Sequence, residues 1–474
     1  PRRTPMPSPS VRAIDAGRPF SWRFTTPLYI GSALNPVNSS MIATALVPIA
    51  TGLDVPIGQT ASLVTALYLA SAIAQPTAGK LAAVFGARRV FLAGIVLVLL
   101  GGALGGAGPN LAAVLIARVL IGLGTSCAYP SAMMLIQRRA ATAGMTKPPG
   151  GVLGGLQIAA LATAALGLPI GGVLVQTVGW RWVFLVNVPV AAIALVAALM
   201  WVPRDPAPGA PRSVRGVVSG IDLLGILVFA LAMTALLGFL FSLQNPIWLL
   251  LAAAVVLFVA LTFWELRAAS PFLDIRLLVR NAALTRTYLR FALVALCVYV
   301  VMYGITQWME AARGMSALAA GLLLLPMSVI SGIVVAPISR RNLVRGPLIV
   351  AAVASLVGSV GVLFLTSDSA IGWIVLITVI FGIVLGTASS GNQLALYLQA
   401  PAEQLGVASG LFRTFGYLGS IASSAVTGIV FHTEASDAGV HVIGIIMIGV
   451  SVVAIALTIF DRALRTPDRT APAA

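Results

Sequence analysis

Long apolar runs parted by short polar gaps fill this chain from residue 27 to residue 460, and they leave it few folds to choose from. The runs lie near 27–50, 59–79, 89–108, 110–134, 152–177, 183–202, 221–242, 247–265, 288–309, 315–338, 346–366, 370–396, 405–431 and 441–460. A bilayer core takes about 20 apolar residues per helix, so the spacing predicts about fourteen transmembrane helices. Backbone groups in lipid have to be satisfied within the chain. No run alternates with period two, so the class expected is an all-α integral membrane protein and not a β-barrel.

The cations fall in alternate gaps. Arg2, Arg3, Arg12, Arg18 and Arg23 precede the first run, and Lys80, Arg88 and Arg89 follow the second. Arg138, Arg139 and Lys147 follow the fourth, Arg204, Arg212 and Arg215 the sixth, and Arg267, Arg276, Arg280 and Arg286 the eighth. Arg340, Arg341 and Arg345 follow the tenth, and Arg462, Arg465 and Arg469 the last. The opposite gaps hold only Arg181 and Arg313. Lys and Arg are retained on the cytoplasmic side, so both termini are expected inside. A net charge of +16 raises the question of nucleic acid. Here the cations are spread over many short loops with no stacking aromatics among them, and topology accounts for them. A chain that is 59% hydrophobic and 9% charged is no soluble domain.

Two cation-rich gaps, 138–151 and 203–220, are longer than the rest, and a weaker break follows at 266–286. They divide the chain into a cytoplasmic tail at 1–24, a six-helix bundle at 25–203 and a linker with two additional helices at 204–270. A second six-helix bundle at 271–461 and a cytoplasmic tail at 462–474 complete it. Two bundles around a central cavity are how transporters place a site near the midplane. The bare gaps are as short as Gly108-Pro109-Asn110 and Ser367-Asp368-Ser369, so no substantial outer domain is expected. Residues 1–24 have no apolar core and read as no cleavable signal peptide. Cys127 and Cys297 both lie in apolar runs, which gives no disulfide framework. Ala, Gly and Arg abound while Lys stands only at 80 and 147, the signature of a GC-rich bacterial genome.

Five stretches carry a family likeness. Gly179-Trp180-Arg181-Trp182 runs on through Phe184 to Asn187-Val188-Pro189. Gly79-Lys80-Leu81-Ala82-Ala83-Val84-Phe85-Gly86-Ala87-Arg88-Arg89 follows the second run, and Arg118 opens Arg-Val-Leu-Ile-Gly122-Leu-Gly124 in the fourth. Gly167-Leu168-Pro169-Ile170-Gly171-Gly172 lies in the fifth, and Gly406 to Gly419, with Arg413, in the thirteenth. Together these resemble the major facilitator superfamily, in its fourteen-helix drug:proton antiporter branch. The resemblance implies two six-helix bundles plus two central helices, and efflux of small amphipathic or hydrophobic compounds by alternating access. It implies gating or structural roles for Gly79, Gly86, Arg88, Arg89, Gly122, Gly167, Pro169, Gly171, Gly172, Trp180, Arg181, Trp182, Asn187 and Pro189. The chain departs from that pattern in places. Ala83 stands where the family has Asp, Ala87 where it has a cation, Ile121 where it has Gln, and Pro169 is displaced by one residue.

The first run holds the departure with most consequence: Asn38 occupies the place of the family's acid and cannot titrate. An Arg within a span is costly unless it faces a cavity or partner, which makes Arg118 a functional candidate, with snorkelling as its bland alternative. Asn38, Tyr68, Arg118, Tyr129, Gln157, Tyr299, Tyr303, Gln307, Asn392, Gln393 and Arg413 are the substrate-binding candidates. With few acids and two arginines among them, neutral, amphipathic or anionic cargo is expected. Glu310 is the one candidate for proton coupling, and proton exchange through Asn38 and Arg118 is not expected. Lipids surround such a chain and protons are a possible co-substrate, while no nucleic acid, cofactor or resident metal is called for. His432, Glu434, Asp437 and His441 match no strong zinc spacing, and no nucleophile–base set speaks for an enzyme. A facilitator or importer of a neutral or anionic metabolite is the alternative, with a receptor or membrane enzyme behind it. A monomer in a bacterial inner membrane is expected.

Overall fold

The computed structural model describes residues 19–145, 149–205, 222–243, 245–269, 271–273, 275–341, 343–400 and 405–464. The distal tails, Lys147, most of the expected linker and the Gln157 side chain lie outside the described residues. Every regular element among those described is helical. In chain order the long helices begin with α1 (Trp22–Leu53), α2 (Ile57–Phe85), α3 (Ala87–Ala107) and α4 (Leu111–Thr142). They continue with α5 (Gly150–Val178), α6 (Trp182–Trp201), α7 (Leu223–Phe241) and α8 (Trp248–Glu265). Then come α9 (Ala282–Ala311), α10 (Ala317–Arg340), α11 (Arg345–Leu363), α12 (Ile371–Gln399), α13 (Leu405–Val430) and α14 (Asp437–Ile459). Among the described residues, twelve helices are long and apolar enough to cross a membrane; α5, whose apolar stretch is Ala162–Val178, and α13 are not among the twelve. Helix α13 carries Arg413 and several Ser and Thr, which dilute its apolar character.

Helix α1 packs on α4, α5 and α6, while α4 packs on α2 and α3. In the second half, α9 packs on α12, α13 and α14, α12 on α10 and α11, and α11 on α14. The halves meet along two seams, α2 against α13 and α5 against α10. The second seam is backbone against backbone: a Cβ on Gly172 of α5 comes within 2.6 Å of Leu318 Cα and 2.7 Å of Ala317 O on α10. Small residues permit such approach between helices in lipid, where dispersion contacts replace the hydrophobic effect. Across the first seam the Thr65 and Ser424 hydroxyls touch.

Helices α7 and α8 form a pair that touches both halves through α2 and α13. Asp222, in the left-handed region at φ 57°, caps α7 by accepting from Gly225 N at 3.1 Å. The same carboxylate accepts from Trp264 Nε1 at 2.7 Å and Phe272 N at 2.9 Å, which closes the base of the pair. Lys80 of α2 reaches that base through Pro271 O at 3.5 Å. Burial holds the Lys80 ammonium below its ordinary pKa, and the charges of Asp222 and Glu265 oppose that fall.

Helix α1 is bent. Pro27 and Pro36 lie inside it, and Ile42–Ala45 tightens to 3-10 geometry. Asn38 Nδ2, Ser39 Oγ and Ser40 Oγ bond back to the carbonyls of Leu34, Asn35 and Pro36 at 2.8, 2.9 and 3.0 Å. Side chains that compete for helical carbonyls bend a helix, and here they do so beside a cavity.

Candidate functional site

A cavity of about 530 Å³ lies between the halves, walled by α1, α2, α5, α9, α10, α12 and α13. Its blind end is formed by buried Ser39, Tyr68, Met302 and Met327. At its other end Gln393 and Tyr397, on the C-terminal part of α12, are exposed, so the cavity is reached from the cation-rich side. Most of the wall is apolar, relieved by the hydroxyls of Ser328, Ser331, Ser389 and Ser390. Among the described residues Arg413 is its one charged lining residue.

Tyrosines close the blind end. Tyr299 and Tyr303 stack at 5.7 Å and 13° around a stretch of α9, Val301–Ile305, that is widened to π-helical geometry. Such widening is frequent at functional sites. Tyr68 meets the edge of Tyr299 at 5.3 Å and leans on Tyr417 at 5.6 Å. Hydrogen bonds then tie the halves together: Tyr303 donates to Ser39 O at 2.8 Å, which leaves its oxygen to accept from Tyr68 Oη at 2.9 Å, and Tyr417 donates to Gln75 Oε1 at 2.6 Å.

Of the sequence candidates, Tyr68, Tyr299, Gln393 and Arg413 line the cavity. Tyr129 reaches its edge indirectly, since the Arg413 guanidinium lies 4.2 Å from its ring centroid. The other described candidates lie outside its wall. Asn38 and Asn187 pair reciprocally at 2.6 and 2.9 Å, which joins α1 to α6. Arg118, 1% exposed, donates to Leu63 O at 3.1 Å and to Asn38 O at 3.2 Å and so clamps α4 to α2 and α1. Asn392 accepts from Arg290 Nε at 2.9 Å. Gln307 is buried at the far end of α9 with neither side-chain polar atom partnered, and Glu310 lies one turn on with Oε1 unpartnered.

The loop motif after α2 is completed from elsewhere in the chain. Gly86 turns at φ 100°, and a Cβ there collides with the Asp205 carboxylate. Asp205 accepts from Arg88 N and Arg89 N at 3.2 and 3.1 Å, capping α3, and pairs with Arg138 Nη1 at 3.0 Å. Gly79 has open space around it, whereas Gly122 meets the backbone of α2, and Gly167 and Gly171 meet α1. Pro169 lies inside α5 and Pro189 is exposed on α6. At the cation-poor end Arg181 covers Trp180 at 4.3 Å, and exposed Trp182 faces outward. There Asp437 accepts from Trp308 Nε1 at 2.8 Å and His441 Nε2 meets Leu365 O at 2.9 Å.

Three charged residues that the sequence reading passed over are structurally central. Arg290 is 1% exposed and meets Asp461 Oδ2 at 3.5 Å, while Arg286 meets Asp461 Oδ1 at 2.9 Å. Arg290 stands at the very start of the run at 288–309, so depth in an apolar run, the signal that singled out Arg118, did not mark this cation. Asp205 gave no such signal because it sits among the Pro and Arg of an expected linker.

The family model described as Major Facilitator Superfamily matches residues 28–424. The chain is 32% identical over 431 residues to the uncharacterized MFS-type transporter YwoD of Bacillus subtilis, covering 90% of this chain and 93% of that one. It is 31% identical over 443 residues to the tetracenomycin C resistance and export protein of Streptomyces glaucescens, covering 89% and 77%. Among solved structures, the nucleoside transporter NupG matches with a TM-score of 0.64 at 13% identity, covering 92% of this chain and 99% of that one. A POT family transporter in complex with 5-aminolevulinic acid matches with a TM-score of 0.64 at 14% identity, covering 92% and 96%.

Proposed function

The chain belongs to the major facilitator superfamily, and we propose that within it the protein exports small amphipathic or hydrophobic compounds by alternating access. It is a multi-pass membrane transporter and not an enzyme. The observation that carries the export reading is the cavity between the halves, blind behind the tyrosines and reached from the cation-rich side. With cations retained in the cytoplasm, that side is the interior, from which an exporter loads. A relative named for tetracenomycin C resistance and export supports the same direction.

In this reading α5 and α13 cross the bilayer with the twelve apolar helices, giving fourteen crossings, both termini inside and a monomer in a bacterial inner membrane. Helices α1–α6 and α9–α14 are the moving halves, and α7 with α8 bridges them. The Asn38–Asn187 pair carries no charge, so Glu310, buried with an unpartnered oxygen, is the coupling candidate. A second reading, a facilitator or importer of a neutral or anionic metabolite, is favoured by a cavity wall whose described residues include no acid.

Efflux of the neutral dye Nile red from cells preloaded with it tests the export reading. Expression of the protein speeds efflux, and equal rates with and without it contradict export. In liposomes, proton movement on adding substrate that is lost in Glu310→Gln supports coupling there. Robust counter-flow that survives the substitution contradicts it.

A further inference from the structure

The charge and ring geometry of the cavity narrow its cargo further than size does. Arg413 makes no ion pair or hydrogen bond among the described residues, and its guanidinium rests on Tyr129 alone. Among the described residues no Asp, Glu, Lys or His joins it on the cavity wall. A cation held in a largely apolar, half-enclosed space without a counter-charge attracts an anion and repels another cation more strongly than it does in water. Its planar fork of donors matches a carboxylate or another planar oxyanion. Deeper in, the Tyr299 ring is half-buried on the wall, backed by Tyr303 and edged by Tyr68, which holds it rigidly. A fixed ring of this kind is a stacking platform for a flat aromatic body. The volume, about 530 Å³, suits a fused-ring compound of a few rings.

We propose that this cavity selects flat, fused-ring aromatic compounds bearing one negative charge, with Arg413 taking the anionic group and Tyr299 the ring system. The assignment rests on the reading of the cavity as the substrate site. The serine hydroxyls of α10 and α12 then meet the carbonyl or hydroxyl substituents that such ring systems carry. Binding draws the guanidinium from the Tyr129 face to the anion, and the helix of Arg413 belongs to the half opposite that of Tyr129. Loading therefore trades a contact between the halves for a contact with cargo.

The test uses the full chain in lipid nanodiscs and a matched pair of probes, anthraquinone-2-carboxylate and anthraquinone-2-carboxamide, titrated calorimetrically with empty nanodiscs as the partition control. The carboxylate is expected to bind about ten- to a hundredfold tighter than the amide, as a charge-assisted bond to a half-buried guanidinium in a largely apolar cavity requires. Arg413→Gln abolishes that preference while amide binding persists. Arg413→Lys keeps the sign of the preference with a smaller ratio. Tyr299→Leu weakens both probes alike. The preference of the unmodified protein is decisive whether or not the variants fold. An amide bound as tightly as the carboxylate overturns the anion assignment and leaves the export reading standing on Nile red efflux. Binding of neither probe overturns the ring platform as well.

Discussion

Arg290 and Arg413 lie in the same half of the molecule, and only one of them is neutralised where it stands. Arg290 is sealed in a network with Asp461, Asn392 and Thr287, every bond of it internal. Arg413 lies against an aromatic face on the cavity wall with no acid beside it among the described residues. A buried guanidinium with its own carboxylate is structural, because removing either partner strands a charge in low dielectric. A guanidinium that borders a cavity without one keeps its charge for something that enters. Arg118 stands between these cases, held by two backbone carbonyls with Nη2 unpartnered, and that makes it a clamp between helices.

This contrast breaks most readily at Asp461. Asp461→Ala leaves Arg286 and Arg290 without their shared acid, and the expected cost is about 3–5 kcal/mol of stability, read as a large fall in the melting temperature of the purified protein. An unchanged melting temperature means the network does not hold α9 in place. Next comes Arg118→Ala, which removes two charge-assisted bonds to carbonyls. It is expected to cost about 1.5–3 kcal/mol and to slow transport, with Arg118→Lys recovering part of both. Full flux with full stability refutes the clamp.

Smaller effects sharpen the picture at the membrane face. Asp205→Ala removes the cap of α3 and the partner of a half-exposed Arg138, for about 0.5–2 kcal/mol. If alanine there leaves the melting curve where it was, the loop after α2 does not depend on Asp205. Orientation is read by labelling. Ser436→Cys is expected to react with an impermeant maleimide in intact cells, and Ala143→Cys only after permeabilisation. Labelling of Ala143→Cys in intact cells reverses the assignment of the two ends.

The membrane class was legible because apolar runs and cation gaps repeat along the whole chain and need no tertiary contact to be seen. Tyr68, Tyr299 and Arg413 stood out by the same logic, since large polar side chains deep in apolar runs are conspicuous. The serines of the wall did not, because a Ser in a membrane helix more often bonds back to its own turn, as Ser359 does to Ser355 O at 2.7 Å. Nor could the sequence show that Asn38 faces Asn187, from a contact 149 positions away that only the packing of α1 on α6 creates. Asp205 was hidden for another reason: its partners come from α3 and α4, and its own surroundings read as a linker.

Alternating access requires the seam between α2 and α13 to part at its cation-poor end during each cycle. The Thr65 and Ser424 hydroxyls touch across that seam, which brings the two positions within reach of a disulfide. The most direct measurement is therefore transport by a Thr65→Cys, Ser424→Cys double variant in which Cys127 and Cys297 have been replaced by alanine. Oxidation should form the cross-link and stop Nile red efflux, and a reductant should restore it. A protein that is fully cross-linked and still exports at the uncross-linked rate contradicts the account.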